Sequence, residues 1–147
     1  MTMTRSQEAR NFREAFGQEM LPNISRYGFI KKQLWNLQID LIKEEAQEFV
    51  VAADEVFADP ENDKRRAEML KELGDLVFVC YQFAAAFNLD LDETLRRIYE
   101  SNMSKLDEQG NPIYRADGKV LKGPNYEPPN LNHLYPNANT HYDTSGK

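Results

Sequence analysis

The sequence predicts an all-α fold, a bundle of four to five helices followed by a small β-hairpin and an irregular C-terminal arm. Three observations predict it. Apolar residues recur every three to four positions over long stretches before residue 107. Proline and glycine crowd the end of the chain, with five of the seven prolines and four of the seven glycines after residue 107. Asp117-Gly118 separates two short runs, Ile113-Tyr114-Arg115 and Val120-Leu121-Lys122, which is a strong hairpin-turn signal. The expected organisation is one domain over 1–126, hairpin included, and an arm over 127–147 that wraps a neighbour or frays.

The elements follow in order. Residues 4–20 carry Phe12, Ala15, Phe16 and Met20 at helical spacing, with Ser6 as the expected cap. Pro22, Asn23 and Gly28 break that pattern, and Ile24, Tyr27 and Phe29 are expected to tuck onto the core. A second helix spans about 32–58, with Leu34, Leu37, Leu41 and Phe49 as its stripe. Trp35, Ile39, Ile42 and Val50 widen the stripe until most of the circumference is apolar, which predicts burial on more than one side. Asp59-Pro60 ends it, because a residue before proline avoids helical angles. A third helix runs from about 63 to 87, capped by Asp63 and closed by Asn88. Its second half is almost wholly apolar, and Gly74 sits in its middle at a cost of about 1 kcal/mol against alanine. That glycine serves either close helix packing or a ligand beside Asp75. A fourth helix starts at Asp90 or Asp92, presents Leu95, Ile98, Tyr99, Met103 and Leu106, and ends near 107–110.

Composition bounds the function. At 147 residues and 41% hydrophobic content the chain can bury a core. A net charge of −6 argues against binding nucleic-acid polymers, which need a basic footprint. A nucleotide substrate remains open, because a metal ion can bring the positive charge. The single cysteine, Cys80, lies in an apolar run, so no disulfide framework exists and a small core residue is the expectation. No run reaches membrane-spanning length and the N-terminus lacks an apolar signal region, so a cytoplasmic protein is expected, in the host cytoplasm if the source is viral. His133 and His141 fall in the tail, where neither catalysis nor metal binding is expected.

Two helical segments carry the chemistry: Glu44-Glu45-Ala46-Gln47-Glu48 and Glu72-Leu73-Gly74-Asp75. Residues three apart on a helix share a face, so each segment presents two carboxylates side by side. If the two helices run antiparallel, Glu45, Glu48, Glu72 and Asp75 converge. Such a cluster repels itself unless a cation sits within it, and hard oxygen donors select Mg²⁺, Mn²⁺ or Ca²⁺. Upstream of Glu45 the same face holds Leu34, Gln38 and Leu41; downstream of Asp75 lie Val79, Gln82 and Phe83. Side by side they make an apolar slot with two amides, suited to a flat base, with Trp35 as a stacking platform. Buried amides need partners, which makes Gln38 and Gln82 hard to read as plain core.

The spacing E-E-x-x-E, two dozen residues, then E-x-x-D resembles the signature of the all-α nucleoside triphosphate pyrophosphohydrolases. That superfamily includes MazG, dimeric dUTPases, dCTP pyrophosphatases and phosphoribosyl-ATP pyrophosphohydrolase. Ser101-Asn102-Met103-Ser104-Lys105-Leu106, followed by Asp117 to Tyr126, is similar to the C-terminal block of short phage-type members. The resemblance covers roughly 30–126. It implies that two or three Mg²⁺ ions, or Mn²⁺ in their place, bind the four carboxylates and the triphosphate. It implies that Asn102 and Lys105 hold phosphates, while Lys119, Lys122 and Tyr126 are expected to close over the nucleotide, from the same subunit or from another. Glu44 or Glu45 is the expected base. The product is a nucleoside monophosphate with pyrophosphate, dGTP being the first substrate expected, then dCTP or dUTP, with phosphoribosyl-ATP behind them. A reading of another class is a helical interaction module whose acidic face binds a basic partner or structural Ca²⁺. Two helices apolar nearly all round predict a homodimer or homotetramer.

Overall fold

The structure, a computed structural model, describes residues 1–22 and 31–134. The expected core contacts of Ile24, Tyr27 and Phe29, the breaks at Asn23 and Gly28, and His141 lie outside the described residues. The described residues are all-α, with four helices and no strand. Two compact units divide them: one runs from Met1 to Leu89 and the other from Asp90 to Leu134.

In the first unit, α1 spans Arg5–Ala15. Its cap is Thr4 rather than the expected Ser6. A capping box needs a glutamine or glutamate three residues on. Gln7 stands three after Thr4 and closes the box, its backbone N–H donating to the Thr4 hydroxyl at 3.2 Å and its amide oxygen accepting from the Thr4 N–H at 2.8 Å. Ala9 occupies that position relative to Ser6 and cannot do this. The helix stops five residues short of the expected end, because Gly17 adopts φ 63°. Gly17 N–H then donates to the Glu14 carbonyl and Gln18 N–H to that of Arg13, the pair of bonds that ends a helix through a left-handed residue.

Helix α2 spans Lys32–Ala58 and α3 spans Asp63–Ala86. The cap of α3 is Asn62, which accepts from the Arg65 N–H at 3.1 Å. The expected cap, Asp63, is the first helical residue instead, where its charge meets the positive helix end and the Arg66 guanidinium. Asn88 closes α3 as expected, with φ 55° and Leu89 N–H bonded to the Ala84 carbonyl at 2.9 Å. The four-residue connection makes α2 and α3 antiparallel neighbours. Their register shows it: Glu55 borders the same groove as Glu68, Glu45 meets Asp75, and Gln38 shares a cavity with Gln82. Helix α1 packs on α3 through an edge-on contact of Phe12 with Phe78, centroids 5.1 Å apart. At the C-terminal end of α3, Leu21, Ala86 and Phe87 form a buried centre with Leu34, Trp35, Phe83 and Leu89 around it.

The double-sided burial expected for α2 and α3 is not met among the described residues. Phe57 is 90% exposed and Leu70 68%, and Leu73 and Val77 of α3 are exposed beside Leu70. Gly74 lies on that open side, with nothing within 4 Å of where a Cβ would stand, so it serves no close helix packing among the described residues.

In the second unit, α4 spans Leu91–Met103, capped by Asp90, which accepts from the Glu93 N–H at 3.1 Å. It ends several residues before the expected 107–110. Ser104 bonds back to the Ser101 carbonyl at 2.6 Å, and the returning chain takes the groups beyond. Gly123 N–H donates to the Lys105 carbonyl at 2.8 Å and Glu127 N–H to the Ser104 hydroxyl at 3.0 Å. The expected C-terminal hairpin is not supported. The Asp117-Gly118 turn forms, with Gly118 at φ 86°, but only an isolated bridge joins Tyr114 and Val120. Two short strands are marginal without a surface to cover one face, and Tyr114, Val120 and Leu121 are exposed. Residues 127–134 run along α4, where Ser101 and Arg97 donate to the carbonyls of Glu127 and Asn130, both at 2.7 Å.

Among the described glycines, Gly123 alone lacks room. A Cβ there would lie 2.6 Å from the carbonyl oxygens of both Lys105 and Leu106. Gly123→Ala is therefore expected to cost about 1–3 kcal/mol as an overpacked contact, read as a lower midpoint in thermal or urea unfolding. An unchanged midpoint would count against this packing.

Candidate active site

The α2–α3 hairpin brings Glu45, Glu72 and Asp75 together, with one carboxylate oxygen from each within 4.8 Å of the other two. Glu72 is buried, at 7% exposure, and its Oε2 has no hydrogen-bond partner. Glu45 is half-buried and its Oε2 is likewise unpartnered. Burial, then the charges of Glu48, Asp75, Glu72 and Glu44, push the Glu45 carboxyl above its ordinary pKa. Lys71, adjacent to Glu72 in sequence, extends its ammonium between Asp75 Oδ2 at 2.8 Å and Glu72 Oε1 at 3.0 Å. Bonds to Asp75 and then Glu72 hold that ammonium protonated well above the usual lysine range. A cation thus already bridges two of the three acids. Orphaned buried carboxylate oxygens in an all-oxygen set suit a divalent metal ion, which the cluster can hold.

Glu48 is not part of this convergence. It is exposed and borders the groove next along the helices, with Glu55, Glu68 and Glu72. Its charge still reaches Glu45. Glu44 is exposed beside it.

Beyond the acids a cavity of about 520 Å³ opens between the three helices of the first unit. Glu45 stands in its wall as well as in the acidic cluster. Gln38, Val79 and Gln82 border it, as the shared helix faces predicted. Trp35 and Phe83 do not. They pack against each other and Phe87, with ring centroids 4.9–5.1 Å apart, in the buried cluster at the end of α3. The aromatic wall of the cavity is Phe12 and Phe78 instead.

The two amides differ. Gln82, 4% exposed, is engaged at both ends: Nε2 donates to the Ala9 carbonyl at 3.3 Å and Oε1 accepts from Arg13 Nη1 at 3.4 Å. Gln38, 3% exposed, has an Oε1 with no partner. Arg13 was missed by sequence reasoning. It is 1% exposed and borders the cavity, with Nε and Nη2 both donating to the Glu19 carbonyl, at 3.0 and 2.7 Å. Burial lowers its pKa, against the opposing charge of Glu19. The available signal was its place four residues after Ala9 and beside Phe12, a charge on an apolar helix face. Lys71 was missed as well.

The phosphate-binding candidates lie in the second unit. Lys105 Nζ donates to Asn102 Oδ1 at 2.8 Å, so the three-residue spacing brings that pair together. Lys122 Nζ lies 4.5 Å from the centre of the Tyr126 ring, and Lys119 is exposed. Cys80 is half-buried and its thiol pKa is pushed up by burial, which leaves it unreactive.

Antiparallel helices that gather acidic oxygens beside an apolar slot define a class, the MazG-like all-α nucleotide pyrophosphohydrolases. The model of one of its families, phosphoribosyl-ATP pyrophosphohydrolase, matches residues 10–102, more than half of the chain. The chain belongs to that family and is a pyrophosphohydrolase, a hydrolase of phosphoanhydride bonds. The match reaches back into α1, including Arg13, which the resemblance from residue 30 onward left out. No curated protein matches the chain.

The crowding has a measurable consequence. Without divalent cations, Glu45→Gln is expected to raise the melting temperature near neutral pH. It removes a charge that folding holds above its ordinary pKa, so the folded state loses stability as pH rises through that pKa. Added Mg²⁺ is expected to stabilise the wild type by about 3 kcal/mol at a hundredfold excess over Kd, and the variant far less. Calorimetry with and without EDTA checks both signs.

Proposed function

We propose that the protein is a Mg²⁺-dependent pyrophosphohydrolase of nucleoside or deoxynucleoside triphosphates, forming the monophosphate and pyrophosphate. Glu45 carries this reading, because it stands at once in the acidic cluster and in the wall of a base-sized cavity. Gln38 lies seven residues before Glu45 and Gln82 seven after Asp75. At 1.5 Å per residue that is about 10 Å, a fitting reach from phosphates to a base edge.

Glu45, Glu72 and Asp75, with Glu48 at the edge, would hold two or three Mg²⁺ ions, or Mn²⁺ in their place. Bound there, the ions supply positive charge against the triphosphate and acidify water. The protein's own groups do the rest. The resemblance alone assigns Asn102 and Lys105 to phosphate oxygens, the lysine as a point charge. Lys119, Lys122 and Tyr126 are assigned to cover a nucleotide, from this subunit or from another. Gln38, Val79 and Gln82 bound the base, while Trp35 and Phe83 support the slot from behind. The attacking water gives its proton to a carboxylate that does not hold an ion, Glu44 or Glu45. As the water oxygen bonds to phosphorus, the bond to the pyrophosphate oxygen breaks and that oxygen keeps the electron pair. Positioning and electrostatics account for most of the rate.

Among substrates dGTP comes first, then dCTP or dUTP. Phosphoribosyl-ATP is the second reading, favoured by the description of the family that matches. The exposed apolar side of α3, Leu70 to Val77, supports a homodimer or homotetramer. No described helix is long and apolar enough to cross a membrane, which is compatible with a cytoplasmic enzyme.

A pyrophosphate-release assay over a panel of triphosphates tests the reading. Turnover with Mg²⁺, none with EDTA, and a drop of about 10²-fold or more for Asp75→Asn or Glu48→Gln are expected. A folded protein with no turnover on any nucleotide would favour the interaction module. Light scattering is expected to give a dimer or tetramer; a monomer would count against the assembly.

A further inference from the structure

Arg13 and Gln38 border the cavity with hydrogen-bonding capacity that the protein does not use. Gln38 Oε1 is a buried acceptor with no partner. Arg13 is a buried cation whose close contacts among the described residues reach no carboxylate, only the Glu19 carbonyl and the Gln82 amide. Three of its five N–H groups make those contacts, and the one to Gln82 is long at 3.4 Å. Gln82 cannot rearrange to serve a ligand without giving up Ala9 or Arg13. Desolvating a guanidinium this fully is costly unless its N–H groups find acceptors. The cavity beside it is the place where a ligand can bring one.

Resting on the nucleotide-slot reading above, the geometry points to Arg13 as the residue that selects the base. It selects bases that carry a carbonyl next to a ring N–H: guanine or hypoxanthine among purines, uracil or thymine among pyrimidines. The carbonyl accepts from the Arg13 guanidinium, and the adjoining ring N–H donates to Gln38 Oε1. In major-groove readout of DNA, arginine or lysine on guanine O6 and N7 is the commonest specific contact, so a guanidinium suits that carbonyl. Adenine and cytosine place an amino group where that carbonyl stands, so donor meets donor. An amide can turn over and offer either end; a guanidinium carries donors only, which makes Arg13 the discriminating group. Among the candidate substrates this separates dGTP and dUTP from dCTP and phosphoribosyl-ATP.

The test uses the full chain and a readout independent of turnover, equilibrium binding of nucleoside monophosphates by calorimetry. The wild type is expected to bind dGMP and dIMP alike. dAMP and O6-methyl-dGMP should bind about 10- to 100-fold more weakly, and dCMP more weakly than dUMP, the scale of a lost hydrogen bond to a charged group. Arg13→Met is expected to bring dGMP and dAMP within about threefold of each other. A merely structural Arg13 would weaken all ligands and leave that ratio unchanged. If the variant fails to fold, the wild-type series decides alone. Wild-type affinity for dAMP or O6-methyl-dGMP equal to that for dGMP overturns the proposal, as does no binding of any monophosphate. Selective binding without hydrolysis of any triphosphate would refute the hydrolase reading and keep this one. Hydrolysis of all triphosphates at one kcat/KM would do the reverse.

Discussion

Mutual repulsion among Glu45, Glu72 and Asp75 is the constraint on which the first unit is built. Three acids from two helices sit close enough to share one cation, and their repulsion is only partly offset inside the chain. The hairpin must be stiff enough to hold them together, and its long antiparallel helices provide this. Lys71 relieves part of the repulsion from the solvent side, bridging Asp75 and Glu72 while Glu45 stays without a partner for its buried oxygen. A flexible lysine is a replaceable cation, and its withdrawal would open the acids to a metal.

The second feature is polarity buried away from the acids. Arg13 and Gln82 tie α1 to α3, with Arg13 also drawing the Glu19 carbonyl over the end of α1. An apolar contact at the same place would hold the helices together with no cost of desolvation. A guanidinium and an unsatisfied amide are therefore hard to explain as stability devices, and a cavity between them and Glu45 gives them a purpose. The aromatic cluster of Trp35, Phe83 and Phe87 stands apart as ordinary core, fixing the far end of α3. The second unit is held differently. Its irregular chain is tied to α4 by serine hydroxyls, an arginine and a glycine pressed against two carbonyls.

Legibility followed the range of the interaction. Glu45, Glu72 and Asp75 were readable because three-residue spacing puts acids on one helix face and a short connection makes the helices antiparallel. Gln38, Val79 and Gln82 followed from the same periodicity. Glu48 was read into the cluster on spacing, yet three residues further along α2 it borders the adjoining groove, which it shares with Glu72. Thr4, Asn62 and the early end of α1 were missed by a few residues. Caps depend on single hydrogen bonds that several neighbouring side chains could make. The hairpin was expected from its turn, which formed; strands need a surface to cover, and Tyr114, Val120 and Leu121 stay exposed among the described residues.

The sequence by itself determined the helical class, the α2–α3 pairing and the acid-bearing faces, since periodicity and turn length act locally along the chain. Tertiary structure alone decided that Arg13 of α1 reaches the cavity, that Lys71 bridges the acids, and that Trp35 belongs to the core. Those placements depend on how one helix is rotated against another, and packing in three dimensions sets that rotation.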